Sequence, residues 1–583
     1  MVNLSKRCLL YLPLFYILFL YLLCSGMDYF LPELTPQFIL TLTFVFCLSA
    51  ISIKKETLHF NRLDVILLLF LGWYTSIVSI KGAGTDKWFI VQSVTYVLIY
   101  FYFRNIRLNR LFFRFLFMAG IFQAAWGLFQ KNGILSSNHY LLDITGGFFN
   151  PGILAIFLVL ALLAGSMQWK PQLKRSIKCL LALAYVLLLS SIVLAHSRAS
   201  WIALSGGCVW LFCAGQKRGK TRFPALFPSR PLLKYLLLFT ITGILVLTPL
   251  AGLYQIRPDS VQGRFLIWQV IGSRLSQSPW TGQGALQAVY MPMQASWFQT
   301  HPDSPSIKYA GNNLYAFNEF LRMGFESGIT GLVLFTVLCG TGIYAALKGN
   351  KHARQAGSLL IAGIGFGLFS YPLSVPLLVS LSLIVLAIIS QNSFTSCRIS
   401  LSKSRWIILF LLGVFLIFTT REYAIGKKAD LLLKESRHAP DILTDPPLLG
   451  CYEQLQNNPD FILSYGKNLY EQGLYENARI VLEQGYRLKP SSELVCDLGK
   501  CYRHDNLFSQ AEQAYALAAR MTPAYIMPRY HLFCLYRATG QQEKALEQAN
   551  VILTMPVKVV NTSVLRIRNE IRTFLKNHPS PRQ

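Results

Sequence analysis

The stretch that decides the architecture opens L-Y-Q-I-R-P-D-S-V-Q-G-R-F-L-I-W-Q-V-I (Leu253–Ile271) and closes A-F-N-E-F-L-R-M-G-F (Ala316–Phe325). Residues 253–325 separate two apolar runs and carry Arg257, Arg264 and Arg274 with Gly282 and Gly284. A run of about 20 apolar residues spans a bilayer, and about a dozen such runs precede residue 420. One long arginine-bearing loop in a polytopic bundle suggests a site for an anionic substrate at a membrane surface.

Working outward, the composition agrees. Hydrophobic residues make up 53% of the chain and charged residues 14%, a membrane-protein balance. The net charge of +28 is uneven: residues 1–420 hold 34 Lys and Arg against 10 Asp and Glu, whereas residues 421–583 hold 21 against 17. The excess sits in short loops between apolar runs. Nucleic acid explains that placement poorly, and the positive-inside rule explains it well. The apolar segments run roughly 9–24, 36–53, 65–80, 88–103, 111–129, 148–166, 179–196, 199–215, 232–252, 326–347, 356–371, 373–390 and 406–420. Alternate connections are basic: Lys54, Lys55 and Arg62; Arg104, Arg107 and Arg110; Lys170 to Lys178; Lys217 to Arg222; Lys348 to Arg354; Arg398 to Arg405. This register puts the N-terminus in the cytoplasm, with residues 253–325 and everything after 420 outside. The first run is kept as a span, because no small-residue cleavage site follows it cleanly. The expected fold is all-α: a polytopic bundle of about 13 spans over 1–420, and a helical domain over 421–583.

The tail repeats. Gly466, Tyr475, Ala478 and Pro490 recur 33 residues later as Gly499, Phe508, Ala511 and Pro523, and a worn third copy carries Tyr536, Gly540 and Ala545. Small residues let two helices approach closely, and a proline ends the second. Over about 445–560 this spacing resembles the tetratricopeptide repeat, which implies a stacked solenoid with a concave face for a protein partner; a cap or a dimer surface is the structural alternative. Cys451, Cys496, Cys501 and Cys534 lie in this tail, where an oxidising compartment permits a disulfide. Their spacing is not that of a metal site.

Four pieces of the membrane part bear on function. G-G-F-F-N-P (Gly146–Pro151) enters the sixth span with Pro151 in a first helical turn and Asn150 as its cap. H-S-R-A-S-W (His196–Trp201) places Arg198 in a tight external hairpin, facing a bundle interior or snorkelling to headgroups. In Gly263–Ile271, read as a helix, Arg264 shares the face of Ile267, Trp268, Ile271 and Leu275, which points it into protein or a pocket. A-F-N-E-F-L-R-M-G-F-E-S-G-I-T-G (Ala316–Gly331) brings Asn318 and Glu319 to the membrane boundary.

In this order and at these places, the four pieces resemble the O-antigen ligase and polymerase superfamily, over about 140–335. That family includes lipopolysaccharide O-antigen ligases, O-antigen polymerases and bacterial protein O-oligosaccharyltransferases. The resemblance implies a multi-pass protein of the bacterial inner membrane with its tail in the periplasm. It also implies transfer of a glycan from an undecaprenyl-diphosphate carrier to an acceptor lipid, glycan or protein hydroxyl, with no metal and no cofactor. By resemblance Arg198 and Arg264 hold the diphosphate, with Arg257 and Arg274 in reserve. Guanidinium forks suit phosphate oxygens, and fixed cations in a water-poor site stabilise the charge of a leaving diphosphate. Ligases of the family commonly read A-H-N-x-(Y/F)-L where this chain has A-F-N-E-F-L, so Phe317 stands at the histidine position and cannot take a proton. Glu319 and His301, then His139 and His196, are the candidates for the base. Glu319 alternatively pairs with Arg322 at i+3.

Other classes remain open at this point. A transporter normally shows mid-span ionisable groups or paired broken helices; the chain has Arg114 within the fifth span but no two-half symmetry. A metal-dependent glycosyltransferase would need clustered oxygen ligands; D-x-D is absent, and Asp28 and Glu33 of the first external loop are unpaired. A non-catalytic scaffold built on the repeats would tolerate loss of Arg198 and Arg264.

Overall fold

The computed structural model describes residues 12–24, 34–54, 57–82, 86–107, 109–139, 142–166, 168, 172–215, 259–394, 397–400, 404–558 and 560–578. The expected span at 232–252, the basic connection at 217–222, Asp28, Glu33 and Arg257 lie outside them. The chain is all-α and polytopic. Its helices are α1 (Leu34–Lys54), α2 (Arg62–Lys81), α3 (Lys87–Asn105), α4 (Asn109–Lys131), α5 (Pro151–Gly165), α6 (Arg175–Leu194) and α7 (Arg198–Gly215). They continue with α8 (Asp259–Gly272), α9 (Leu286–Thr300), α10 (Glu319–Lys348), α11 (Lys351–Gly367), α12 (Pro376–Ser393) and α13 (Ser404–Glu435).

The expected segments from 36–53 to 199–215, and from 326–347 to 406–420, each overlie one of these helices. Among the described residues seven helices are long and apolar enough to cross a bilayer: α1, α2, α4, α6, α10, α12 and α13. The apolar helices α5 and α7 are shorter. For α5 the reason is physical: Ile153 through Val159 are almost entirely covered by protein, so its length need not match the lipid.

One end of the bundle is tied together by its basic connections. Thr57–Phe60 (β1) and Cys397–Ser400 (β2) form an antiparallel ribbon, with Thr57 opposite Ser400 and Phe60 opposite Cys397. Nothing in the apolar pattern announces it. Both strands come from connections the charge alternation assigns to one side, and they can pair only if they share that side. Beneath the ribbon, buried Asp64 of α2 accepts from Tyr100 and Arg104 of α3 and from Ser390 of α12 at 2.9 Å. Arg104, read from sequence as a loop cation, is 4% exposed and pairs with Asp64 at 3.2 Å. A buried charge needs such a partner.

At the other end the supposed loop is itself helical. α8 and α9 lie between the spans, and α10 begins at Glu319, capped by the Asn318 side chain on the Leu321 amide. α10 breaks at Gly328, where φ is +71°. The strand of chain at 279–284 fills the break. Ile329 donates to Pro279 O at 2.7 Å, Gln283 to Phe325 O at 2.7 Å and Gly284 to Glu326 O at 3.1 Å, so the backbone groups freed by the break find partners.

α13 runs unbroken through residue 420 to Glu435 and leads into helical hairpins. Pro459–Glu471 pairs with Tyr475–Leu488, Ser492–His504 with Phe508–Met521, and Ile526–Ala538 with Gln542–Thr554. Ala478, Ala511 and Ala545 are fully buried in the pairs. A Cβ on Gly466 would lie 2.8 Å from Leu482, and one on Gly499 2.5 Å from Tyr515; glycine there permits the close approach. Cys451, Cys496, Cys501 and Cys534 are free thiols. The hairpins rest on α9: buried Gln294 donates to Met521 O and to Gly311 O, and Ser492 N donates to Asn312 Oδ1 at 3.0 Å.

Candidate active site

Two arginines from distant segments lie within each other's electrostatic range at the loop end of the bundle. Arg198 opens α7, immediately after the turn that ends α6 at Leu194. Arg264 lies on α8, whose Leu266, Ile267, Val270 and Ile271 are buried; the sequence face that contained Arg264 therefore does face protein. Trp268 anchors the helix by donating from Nε1 to Ala316 O at 2.9 Å. Arg264 is half-buried, and burial first, then the like charge of Arg198, lower its pKa to about 10. It stays charged at neutral pH. No carboxylate among the described residues pairs with it. Its contact is instead the ring of Phe317, with the guanidinium carbon 5.4 Å from the ring centroid.

Phe317 precedes the cap of α10 and adopts φ of +53°. Its ring meets Tyr371 edge-on at 5.2 Å, and Tyr371 stacks on Tyr315 at 3.9 Å. Tyr315 in turn lines a cavity of about 1260 Å³. This cavity reaches from Leu338 and Leu386 within the bundle to Asn457 and Lys489 in the tail.

Glu319, Arg322 and Glu326 form a charged stretch of the cavity wall. They sit on the first two turns of α10, so their i, i+3 and i+4 spacing puts them on one face. Arg322 Nε lies 2.9 Å from Glu319 and 3.7 Å from Glu326, and Arg322 also donates to Ser374 Oγ. Glu319 Oε1 accepts from the Leu373 amide at 2.8 Å. Glu326 accepts from Tyr74 at 2.7 Å and from the Leu286 amide, at the start of α9, at 3.0 Å. The Glu319–Arg322 pair anticipated from spacing is present. The role of Glu326 as a tie between α2, α9 and α10 was not visible in the sequence, since Tyr74 and Leu286 are far away along the chain.

The other candidates lie elsewhere. Arg274 donates to Ser296 Oγ at 3.1 Å on α9. His301 ends α9, exposed, stacked on Trp297 at 4.0 Å and bound to the Trp297 carbonyl; it does not line the cavity. His196 stands in the α6–α7 turn with φ of +50°. Asn150 caps α5 by accepting from Gly152 N at 2.7 Å, while neighbouring Gly147, Phe148 and Phe149 line the cavity. Arg257 is outside the described residues.

No curated protein matches the chain. Residues 183–336 match the O-antigen ligase family model, a segment that contains Arg198, Arg264, Phe317, Glu319, Arg322 and Glu326. Over residues 183–336, therefore, the chain is similar to the O-antigen ligase family.

Proposed function

We propose that the protein takes a glycan from an undecaprenyl-diphosphate carrier and passes it to an acceptor hydroxyl on the periplasmic face of the bacterial inner membrane, as O-antigen ligases do. Polymerisation of a glycan and transfer to a protein hydroxyl use the same donor chemistry and differ only in the acceptor. The observation that carries the reading is Arg264 itself, charged, half-buried, unneutralised by any described carboxylate and within the field of Arg198. A protein leaves a desolvated cation unneutralised at a cost, and an incoming anion offsets it. A diphosphate gains negative charge as the glycosidic bond breaks, so two guanidinium groups there favour the transition state over the ground state.

In this reading the aromatic wall of Tyr315 and Tyr371 lies between the diphosphate and the cavity, and the cavity holds carrier or acceptor. Of the candidate bases, Glu319 lies on the cavity wall, whereas His301 does not line the cavity. The repeat tail forms a second, external domain over 421–583 that roofs the cavity with Asn457 and Lys489 and offers its concave face to a protein partner. The test compares cells carrying wild-type protein, Arg264→Ala or Arg198→Ala. Loss of one glycoconjugate class among lipopolysaccharide, capsule and glycoproteins, with accumulation of carrier-linked glycan, names the acceptor. Unchanged profiles at normal protein abundance would reject the assignment.

A further inference from the structure

The chain treats two of its loop-end arginines in opposite ways. Arg322 lies between two carboxylates and donates to a serine hydroxyl, so its charge is spent on holding α10. Arg264 is fixed without any described carboxylate. What touches it is Phe317, and Phe317 is held in an unusual state to do so.

A bulky residue with positive φ is a backbone outlier, and such conformations persist only where the surroundings impose them. Here both neighbours do. Ala316 O accepts from Trp268 of α8, and Asn318 caps α10, so the turn between them is clamped from both sides. The clamp aims the ring at the Arg264 guanidinium, within the roughly 6 Å over which a ring face attracts a cation, and Tyr371 packs edge-on behind it. A ring quadrupole attracts a cation without cancelling its charge. A carboxylate at the same place would hold the guanidinium equally well and would compete with a phosphate for it.

We propose that Phe317 is a positioning residue: its ring holds Arg264 beside Arg198 by a cation–π contact, leaving the positive charge available for a lipid-linked diphosphate. The inference rests on the diphosphate reading above. It gives Phe317 a role unrelated to proton transfer, and it accounts for the strained backbone as the cost of aiming the ring.

The test is equilibrium binding of undecaprenyl diphosphate to the full chain in nanodiscs, with thermal unfolding measured alongside. Phe317→Leu keeps an apolar side chain and loses the ring, and it should weaken binding roughly ten-fold. Phe317→Trp should bind at least as tightly as wild type. Phe317→Asn relieves the left-handed backbone and should bind as weakly as the leucine variant while unfolding no earlier than it. In an Arg264→Ala background, Phe317→Leu should change binding no further. Wild-type binding by Phe317→Leu, or a leucine penalty that persists without Arg264, overturns the proposal. If the leucine variant does not fold, binding weaker than wild type by Phe317→Trp, or wild-type binding by Phe317→Asn, overturns it instead. Should Arg264→Ala and Arg198→Ala both bind as wild type, the diphosphate reading itself falls, which separates that failure from failure of the Phe317 role.

Discussion

Arg264 and Arg322 are one residue type in two settings, one unpaired with any described carboxylate and one between two carboxylates, and substitution should separate their uses. Arg264→Ala removes a cation that no described carboxylate shares, so stability should change little. Transfer should fall by two to three decades, the ~3–4 kcal/mol typical of losing one charge-stabilising donor. Arg264→Lys should restore it only partly, since ammonium lacks the planar fork. Arg322→Ala strands buried Glu319 and Glu326 and should destabilise the fold by ~3–5 kcal/mol, read as early thermal unfolding and low membrane abundance. Glu319 poses a sharper question, because both its oxygens are engaged, one by the Leu373 amide and one by Arg322. If it assists the acceptor hydroxyl, Glu319→Gln should lower the rate and alter the pH profile of transfer, while His301→Ala leaves both unchanged. A wild-type profile in Glu319→Gln would leave carrier phosphate or water to accept the proton.

Among elements, the break in α10 has the clearest consequence. Gly328 sits at φ of +71°, and a Cβ there would lie 2.3 Å from the Trp280 backbone; Gly282 faces Glu326 as closely, at 2.5 Å. Gly328→Ala should cost about 1–3 kcal/mol through its backbone alone, since φ of +71° with ψ of −173° is open essentially only to glycine, and the overlap should push 279–284 off α10. Faster hydrogen exchange at Gln283 and Ile329, whose amides bridge the break, would report that undocking; unchanged protection would show that the break tolerates a methyl group. In the tail, His531 stacks on Tyr515 at 5.2 Å. Burial first, then Lys500 and Arg503, lower its pKa from 6.5 to about 4. Between those values the unfolded chain binds a proton the folded one refuses, so stability is full above pH 6.5 and falls as pH drops toward 4. His531→Phe should flatten that fall in exchange protection of residues 526–538.

On the scale of the whole molecule, the connections sort into two ends. The ribbon of β1 with β2, the Asp64 cluster and the Trp210 contact to Arg354 O at 2.8 Å all join connections of one parity. The contacts of Lys81 with Thr281 and of Asp86 with Asn458 join those of the other. A reporter active only outside the cytoplasm should therefore work when fused after Glu435 and fail when fused near Lys220. Signal from both fusions, or from neither, would break the register and the periplasmic assignment of the tail.

Most of the spans, the sorting of their connections to two ends and the repeat period were legible because each follows from a one-dimensional quantity: apolar run length, loop charge, or spacing of small residues. Arg264 was also readable, since a helical face is set by a period of 3.6 residues and Ile267 and Ile271 declare which face is buried. The rest required contacts between segments far apart in the chain. Nothing local says that Tyr74 and the Leu286 amide meet Glu326, that Arg104 pairs with Asp64, or that residues 57–60 and 397–400 form a ribbon. Phe317 shows the division most plainly. Its identity alone says that a base is missing. Its backbone angle and the ring's approach to Arg264 exist only once α8, the 316–318 turn and Tyr371 are packed together, because those neighbours impose a conformation the residue would not adopt by itself.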